Sequence, residues 1–453
     1  MTSPTPTIRP YPTVTAFEHH DSERTHRFPT PALPDGALRV TTRTAPDRYP
    51  GPYNLVTRDP GELFVLFGVY AEVDGCDGAQ VARLDADTLE QLWCTRLVDT
   101  KALERWNYMG VLGVLPDGDL IAIASDRIFR LAPDNGEIIA ETALPVAGPV
   151  RDAAYNGYTM LSDGMIAAKT VHRHGTDVDG FAAFMAGNPF AAPGSTVTIV
   201  DPARWSVVTS LQAPEHIGGR ITSTRLGDHD VIYLVGFNTL HRWRWDGTTL
   251  TVDSDWEPAE VRRDAQTPAP ANAILGRYTV LQTNAVPSPD PMSVHCIDQS
   301  DSSHRHEVRP FADAGMAISF LPSMLSADPE NQRLYTHDAA AGLLAGYDVA
   351  DDGSLSLAWR VAQRSLSFTT LVGPDDQRVI IGTDIVGLDG PEGLLTAPTE
   401  QVVWRDAATG TERARSADLP RMSHGILVTP VFDGRFFELG HQGTVTELTV
   451  EAS

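Results

Sequence analysis

Lysine is nearly missing from this chain. Only Lys101 and Lys169 are lysines among 453 residues, and arginine supplies the rest of the 35 basic side chains. Fifty-nine acidic residues oppose them, for a formal net charge of −24. A long-range field of that sign works against nucleic acid and anionic membrane surfaces, so neither is expected as a partner. The preference for arginine fits codon usage in a GC-rich, bacterial genome.

Cysteine is also scarce. Cys76, Cys94 and Cys296 are an odd number and too few for a disulfide framework, which suggests reduced thiols and a cytoplasmic location. No apolar run approaches the length of a membrane span. Residues 1–36, rich in Pro and Thr at their start, hold no apolar stretch of signal-peptide type. They are expected to form an arm that packs over the fold or is partly disordered, with His19 and His20 solvated. Gly-x-Ser-x-Gly, the P-loop pattern and His-Glu-x-x-His are all absent, which removes the usual signals for an α/β-hydrolase nucleophile, a nucleotide phosphate site and a helical zinc site.

What the chain does have is rhythm. One unit reads Tyr108 to Gly118, Asp119 to Ser125, Ile128 to Gly136 and Glu137 to Pro145. Each piece is a short run rich in β-branched residues, bounded by Gly, Pro, Asp or Asn, as antiparallel strands and tight turns require. Such units recur from about Tyr53 to Val450 at a period of roughly 40 to 50 residues, the signature of a β-propeller. The count favours an all-β, eight-bladed propeller with four-stranded antiparallel blades; seven is the alternative. The last unit offers only three strands. Residues 37–44 (Ala-Leu-Arg-Val-Thr-Thr-Arg-Thr) match the outer-strand type and can supply the fourth, closing the ring and removing two exposed edges. The expected organisation is therefore an arm, 1–36, and a single propeller domain, 37–453, with insertions at 174–194 and 385–400.

Leu84-Asp85, Thr88 and Trp93 follow the Leu-Asp…Thr-Gly…Trp pattern of quinoprotein-like propellers, with Leu89 in the place of the Gly; Asp406 and Thr409-Gly410 follow it without the Trp. In fold, the chain resembles that superfamily. The resemblance implies architecture. Members that hold the quinone cofactor typically carry a vicinal Cys pair and calcium-ligating carboxylates. No two cysteines are adjacent here, so the quinone is not expected; the cofactor is either none or a divalent metal.

Propeller geometry turns positions into faces. Connections between second and third strands, and between one blade's outer strand and the next blade's inner strand, share one face, here called upper. The loop 174–194 brings Phe181, Phe184 and Phe190 to that face, where they could seal the rim or form a lid over an apolar ligand. Polar residues cluster at the upper strand ends. His337, Asp338, His424 and His441 are the candidate acid–base residues, because imidazole titrates near neutral pH and a neighbouring carboxylate can orient it. His172 and His174, on one side of a strand, are candidate metal ligands. Asn107, Tyr108 and Tyr155 would shape the floor. The expectation is an enzyme acting on a small, largely apolar molecule by acid–base or metal-assisted chemistry: hydrolysis, elimination or cyclisation. The alternative is a non-catalytic propeller that binds a ligand or a protein.

Overall fold

Each inner strand is a short run, buried throughout except at the lower end of blade 4, and together these runs define the axis. They are Asn54–Thr57, Val111–Val114, Ala153–Met160, Ile221–Leu226, Asn272–Leu275, Ser326–Asp328, Thr370–Val372 and Thr429–Pro430. The structure, a computed structural model, describes residues 10–69, 76, 78–99, 110–172, 193–263, 266–267, 269–285, 291–314, 323–388, 393–394, 396–422 and 426–453. Every inner strand heads an antiparallel sheet whose second, third and outer strands follow in order, giving eight blades. In blade 1 these are Asn54–Thr57, Glu62–Phe67, Gln80–Asp85 and Gln91–Arg96. Second strands such as Glu62–Phe67 and Leu120–Ala124 are buried throughout, because neighbouring blades cover both faces. Outer strands such as Ile138–Ala143 alternate between half-buried and exposed.

Blade 8 closes the ring. Leu38–Thr44 pairs with Val445–Ala452 in unbroken antiparallel register, from Leu38 opposite Ala452 to Thr44 opposite Thr446. The ring has eight blades, and its fourth closing strand comes from the N-terminal side, as the sequence suggested.

The repeat motif has a mechanical meaning. Trp93, on the outer strand of blade 1, donates its Nε1–H to the Pro133 carbonyl of blade 2 at 3.0 Å. Its ring covers Gly136, where a Cβ would come within 2.5 Å of it. Trp359 of blade 6 repeats this on blade 7, donating to the Ala407 carbonyl at 3.0 Å and covering Gly410. Both glycines have left-handed φ, 72° and 73°. The glycine thus makes the turn and receives the neighbour's ring. Leu89, at the equivalent turn of blade 1, adopts the same region with φ 61°, held by the Asp85 Oδ1 that accepts the Asp87 and Thr88 amides.

The arm departs from expectation. It does not lie over the ring. Residues 13–30 run inside it, and His19 is 2% exposed. Tyr11 donates to Asp59 at the lower turn of blade 1, and the chain then enters the axis. Thr15 accepts from the Thr57 amide and donates to the Pro430 carbonyl, touching blades 1 and 8. Ala16 accepts from Val114 of blade 2. The Ser22 hydroxyl bridges the Met160 amide and carbonyl of blade 3, and its carbonyl takes the Ser223 amide of blade 4. Glu23, Thr25 and His26 accept from Ile274, Ala327 and Leu371 of blades 5, 6 and 7. Thr30 leaves by the lower face, accepting from the Gly373 amide. The arm therefore hydrogen-bonds to the inner strand of all eight blades in one circuit. Buried backbone groups need partners, and inner strands have a free edge toward the axis; each satisfies the other.

Candidate functional site at the channel plug

The tight circuit is bought with strain at four non-glycine residues. His19, His20, Arg24 and His26 have φ of 62°, 71°, 54° and 60°. The left-handed region costs roughly 1–2 kcal/mol per such residue, so these conformations persist only where the surroundings over-determine them.

Glu18 lies at the centre of that over-determination. Arg220, just before the inner strand of blade 4, donates Nε to Oε2 at 2.8 Å and Nη2 to Oε1 at 2.8 Å. Tyr53, just before the inner strand of blade 1, donates its hydroxyl to Oε1. Arg24 Nη1 stands 3.6 Å from Oε2. Burial alone would push the Glu18 carboxyl up, but Arg220, His19 and Arg24 outweigh it and hold it well below its ordinary range. It is ionised. Arg220 reaches it across Gly157, where a Cβ would lie 2.6 Å from Arg220 Cδ.

His19 and His26 extend the network. His19 Nδ1 and His26 Nε2 are 2.7 Å apart with stacked rings, and His26 Nδ1 lies 3.0 Å from the Thr369 carbonyl. Burial lowers His19 to about 4 against the pull of Glu18, and burial with the charge of its neighbours holds His26 well below the usual imidazole range. Arg24 donates Nε to the Ile221 carbonyl at 2.6 Å, and burial brings it to about 10. Lys169 is fully buried and donates to the Ile217 carbonyl at 2.7 Å. Burial, then Arg220 and Arg24, depress its amine well below the ordinary value.

Between the arm and the inner strands of blades 1 and 8 lies a cavity of about 20 Å³, lined by Glu18, His19, Tyr53, Asn54, Phe28 and Ile426 among others. That is room for about one water. It presents a fixed carboxylate and a phenol tied to it, beside a neutral imidazole.

The five described residues among those singled out from sequence lie elsewhere. His337 is fully buried at the end of the second strand of blade 6, its ring toward the Ser367 backbone, and burial lowers it to about 4. Asp338 beside it accepts the Ala340 and Ala341 amides in the following turn, and burial raises it to about 7. His441 is half-buried at the upper turn of blade 8 and donates its amide to the Arg421 carbonyl. None of the three lines the cavity. Tyr155 directs its hydroxyl into blade 3, against Thr198 and the Pro145 carbonyl, and so packs the blade instead of flooring the channel. His172 pairs with Thr170 through Nε2, and its amide donates to His216 Nε2 at 2.9 Å. Among the described residues no three His, Cys, Asp or Glu are grouped as metal ligands. His174, His424, Asn107, Tyr108, Phe181, Phe184 and Phe190 lie outside the described residues.

The residues that do converge were missed. One signal was available: eight of the ten residues 18–27 are ionisable, yet Phe17 and Phe28 bracket them. A solvated tail has no use for flanking aromatics. Lys169 in the apolar strand Ile166–His172 was a second.

No family model matches this chain, and no curated protein matches it. Solved structures do. A quinohemoprotein alcohol dehydrogenase from Comamonas testosteroni aligns with a TM-score of 0.60 at 10% identity, over 98% of this chain and 81% of that one. Another, from Pseudomonas putida HK5, gives 0.58 at 10% identity over 98% and 80%. The likeness is one of fold. Among the described residues, the arm occupies the axis beside a cavity of about 20 Å³. No two cysteines are adjacent in the sequence; Cys94 lies on the outer strand of blade 1 and Cys296 on the third strand of blade 5. No helix among the described residues is long and apolar enough to cross a membrane.

Proposed function

We propose that this protein is a cytoplasmic enzyme that binds a small, largely apolar molecule at the upper end of its channel. It acts there by acid–base chemistry without a metal, in a hydrolysis, elimination or cyclisation. One observation supports the reading: the arm brings Glu18 into the axis against Tyr53 and Arg220, and Glu18 and Tyr53 line the cavity there. Tyr53 is the group that gives and takes a proton at the ligand. Glu18, ionised and fixed, accepts its hydrogen bond and keeps no proton of its own, and Arg220 donates to both and orients them. A preorganised charged pair in a water-poor site favours charge development without reorganisation. The test is a thermal-shift screen of small apolar compounds, followed by turnover with Tyr53→Phe. Loss of turnover by about 10²-fold or more with binding retained supports the reading. Chelators should leave both unchanged.

A second reading, a non-catalytic scaffold, draws on the saturation of Glu18 by Arg220 and Tyr53 and on the small size of the cavity. It predicts no hit in the screen and a stoichiometric protein partner whose binding Tyr53→Phe leaves intact.

A further inference from the structure

The arm carries its own destabilising charge. Among the described residues of the network, two guanidinium groups, Arg24 and Arg220, face one carboxylate, Glu18. His19, 1% exposed in its side chain, faces Glu18, Arg24, Arg220 and His26. His26 faces His19, Arg24 and Glu18 from the arm, Ser326 from blade 6, and Thr369 and the Phe368 ring from blade 7. His20 faces Asp21, Arg27 and the Phe28 ring. Lys169, from blade 3, adds a buried amine nearby. Among the described residues, Glu18 is the one carboxylate set against His19 and His26, so a proton on either ring adds a buried cation beside Arg24 and Arg220. Removing an unpaired charge from water is among the most costly events in a protein interior.

We propose that the arm is an acid-released plug: at neutral pH it closes the axis, and protonation of His19 and His26 drives residues 13–30 out while the outer ladder keeps the ring shut. The two attachments are separable in the fold. Leu38–Thr44 is held by its own register against Val445–Ala452 and shares no side chain with the histidine pair. The sign is that of a histidine buried neutral. His19 titrates near 4 in place and near 6.5 when free, so its hold is complete above about 6.5 and is lost as pH falls toward 4. Glu23 opposes this. Burial raises its carboxyl, so acid relieves a penalty there, but it is one partly buried group against two fully buried imidazoles. Release would convert a cup closed from below into a channel open at both ends.

Hydrogen exchange of the full chain, read by mass spectrometry at pH 7 and pH 4.5 and corrected for intrinsic rates, tests this. Protection of peptides within 13–30 should fall about 50-fold or more, the shift that His19 alone supplies. Protection of Leu120–Ala124 in blade 2 should hold. In His19→Asn/His26→Gln the acid effect on the arm should vanish. Arm and blade losing protection together, an arm that stays protected at pH 4.5, or a variant arm that opens like the wild type would each overturn the proposal. If the double variant does not fold, the wild-type contrast between arm and blade decides alone.

Discussion

The closing strand Leu38–Thr44 and the arm before it both tie the start of the chain to its end, by different physics. The strand uses a backbone ladder with half its side chains in solvent. Its attachment is spread over seven residue pairs and depends little on any one of them. The arm uses hydrogen bonds to eight separate blades and a buried ionic knot. Its charged groups are concentrated in that knot, so a change of protonation there acts on the whole segment. A ladder suits permanent closure, and a knot of titratable groups suits a part that responds to conditions.

Truncation separates the two most sharply. Deleting residues 1–44 opens the ring and should abolish the cooperative melting transition. Deleting only 1–36 should leave a folded, all-β protein by circular dichroism with a lower Tm. Equal melting curves for the two truncations would erase the distinction. Next in size is Glu18→Gln, which removes the carboxylate that Arg220 and Arg24 share. Urea unfolding should show a loss of about 3–5 kcal/mol, partly recovered in Glu18→Gln/Arg220→Met. Recovery matters because it separates an unpaired charge from simple loss of packing.

Blades 7 and 8 should respond to acid with the opposite sign from the arm. Burial raises Glu400 to about 7 despite the Met422 amide it accepts, and burial with Glu400 pushes Glu438 well above its usual range. A carboxyl raised in place is a penalty at high pH that acid removes. Glu400→Gln should therefore stabilise by on the order of 3 kcal/mol at pH 8, and the gain should fade below about pH 4.5. A gain independent of pH would mean that packing, not charge, is responsible. The smallest effect tests blade docking. Gly136→Ala adds a Cβ against the Trp93 ring at a left-handed φ and should cost about 1–2 kcal/mol in denaturant unfolding.

The blades were legible because they repeat. Turns such as Asn135-Gly136 and runs such as Asp119 to Ser125 signal their state within a few residues, and the three-strand remainder at the C-terminus called for a strand like 37–44. The site was not legible by the same means. Its members, Glu18, Tyr53, Lys169 and Arg220, come from four separate places and meet only because the arm turns inward. His337 and His441 sat at the expected strand ends, but a strand end fixes height along the axis and says nothing about whether the ring faces the axis or the neighbouring blade. Tyr155 was misjudged for the same reason: its strand lines the channel while its hydroxyl bonds to Thr198, two strands outward in the same blade.

The Thr15 hydroxyl bonds to a carbonyl 415 positions later in the chain. During synthesis the arm emerges before every blade, yet the eighth blade it bonds to is not made until the other seven have left the ribosome. A segment made before all the blades is therefore the last to complete its contacts. For most of translation, Phe17, Phe28 and the histidines between them wait in solvent, a natural handle for a chaperone and a natural point of attack for a protease.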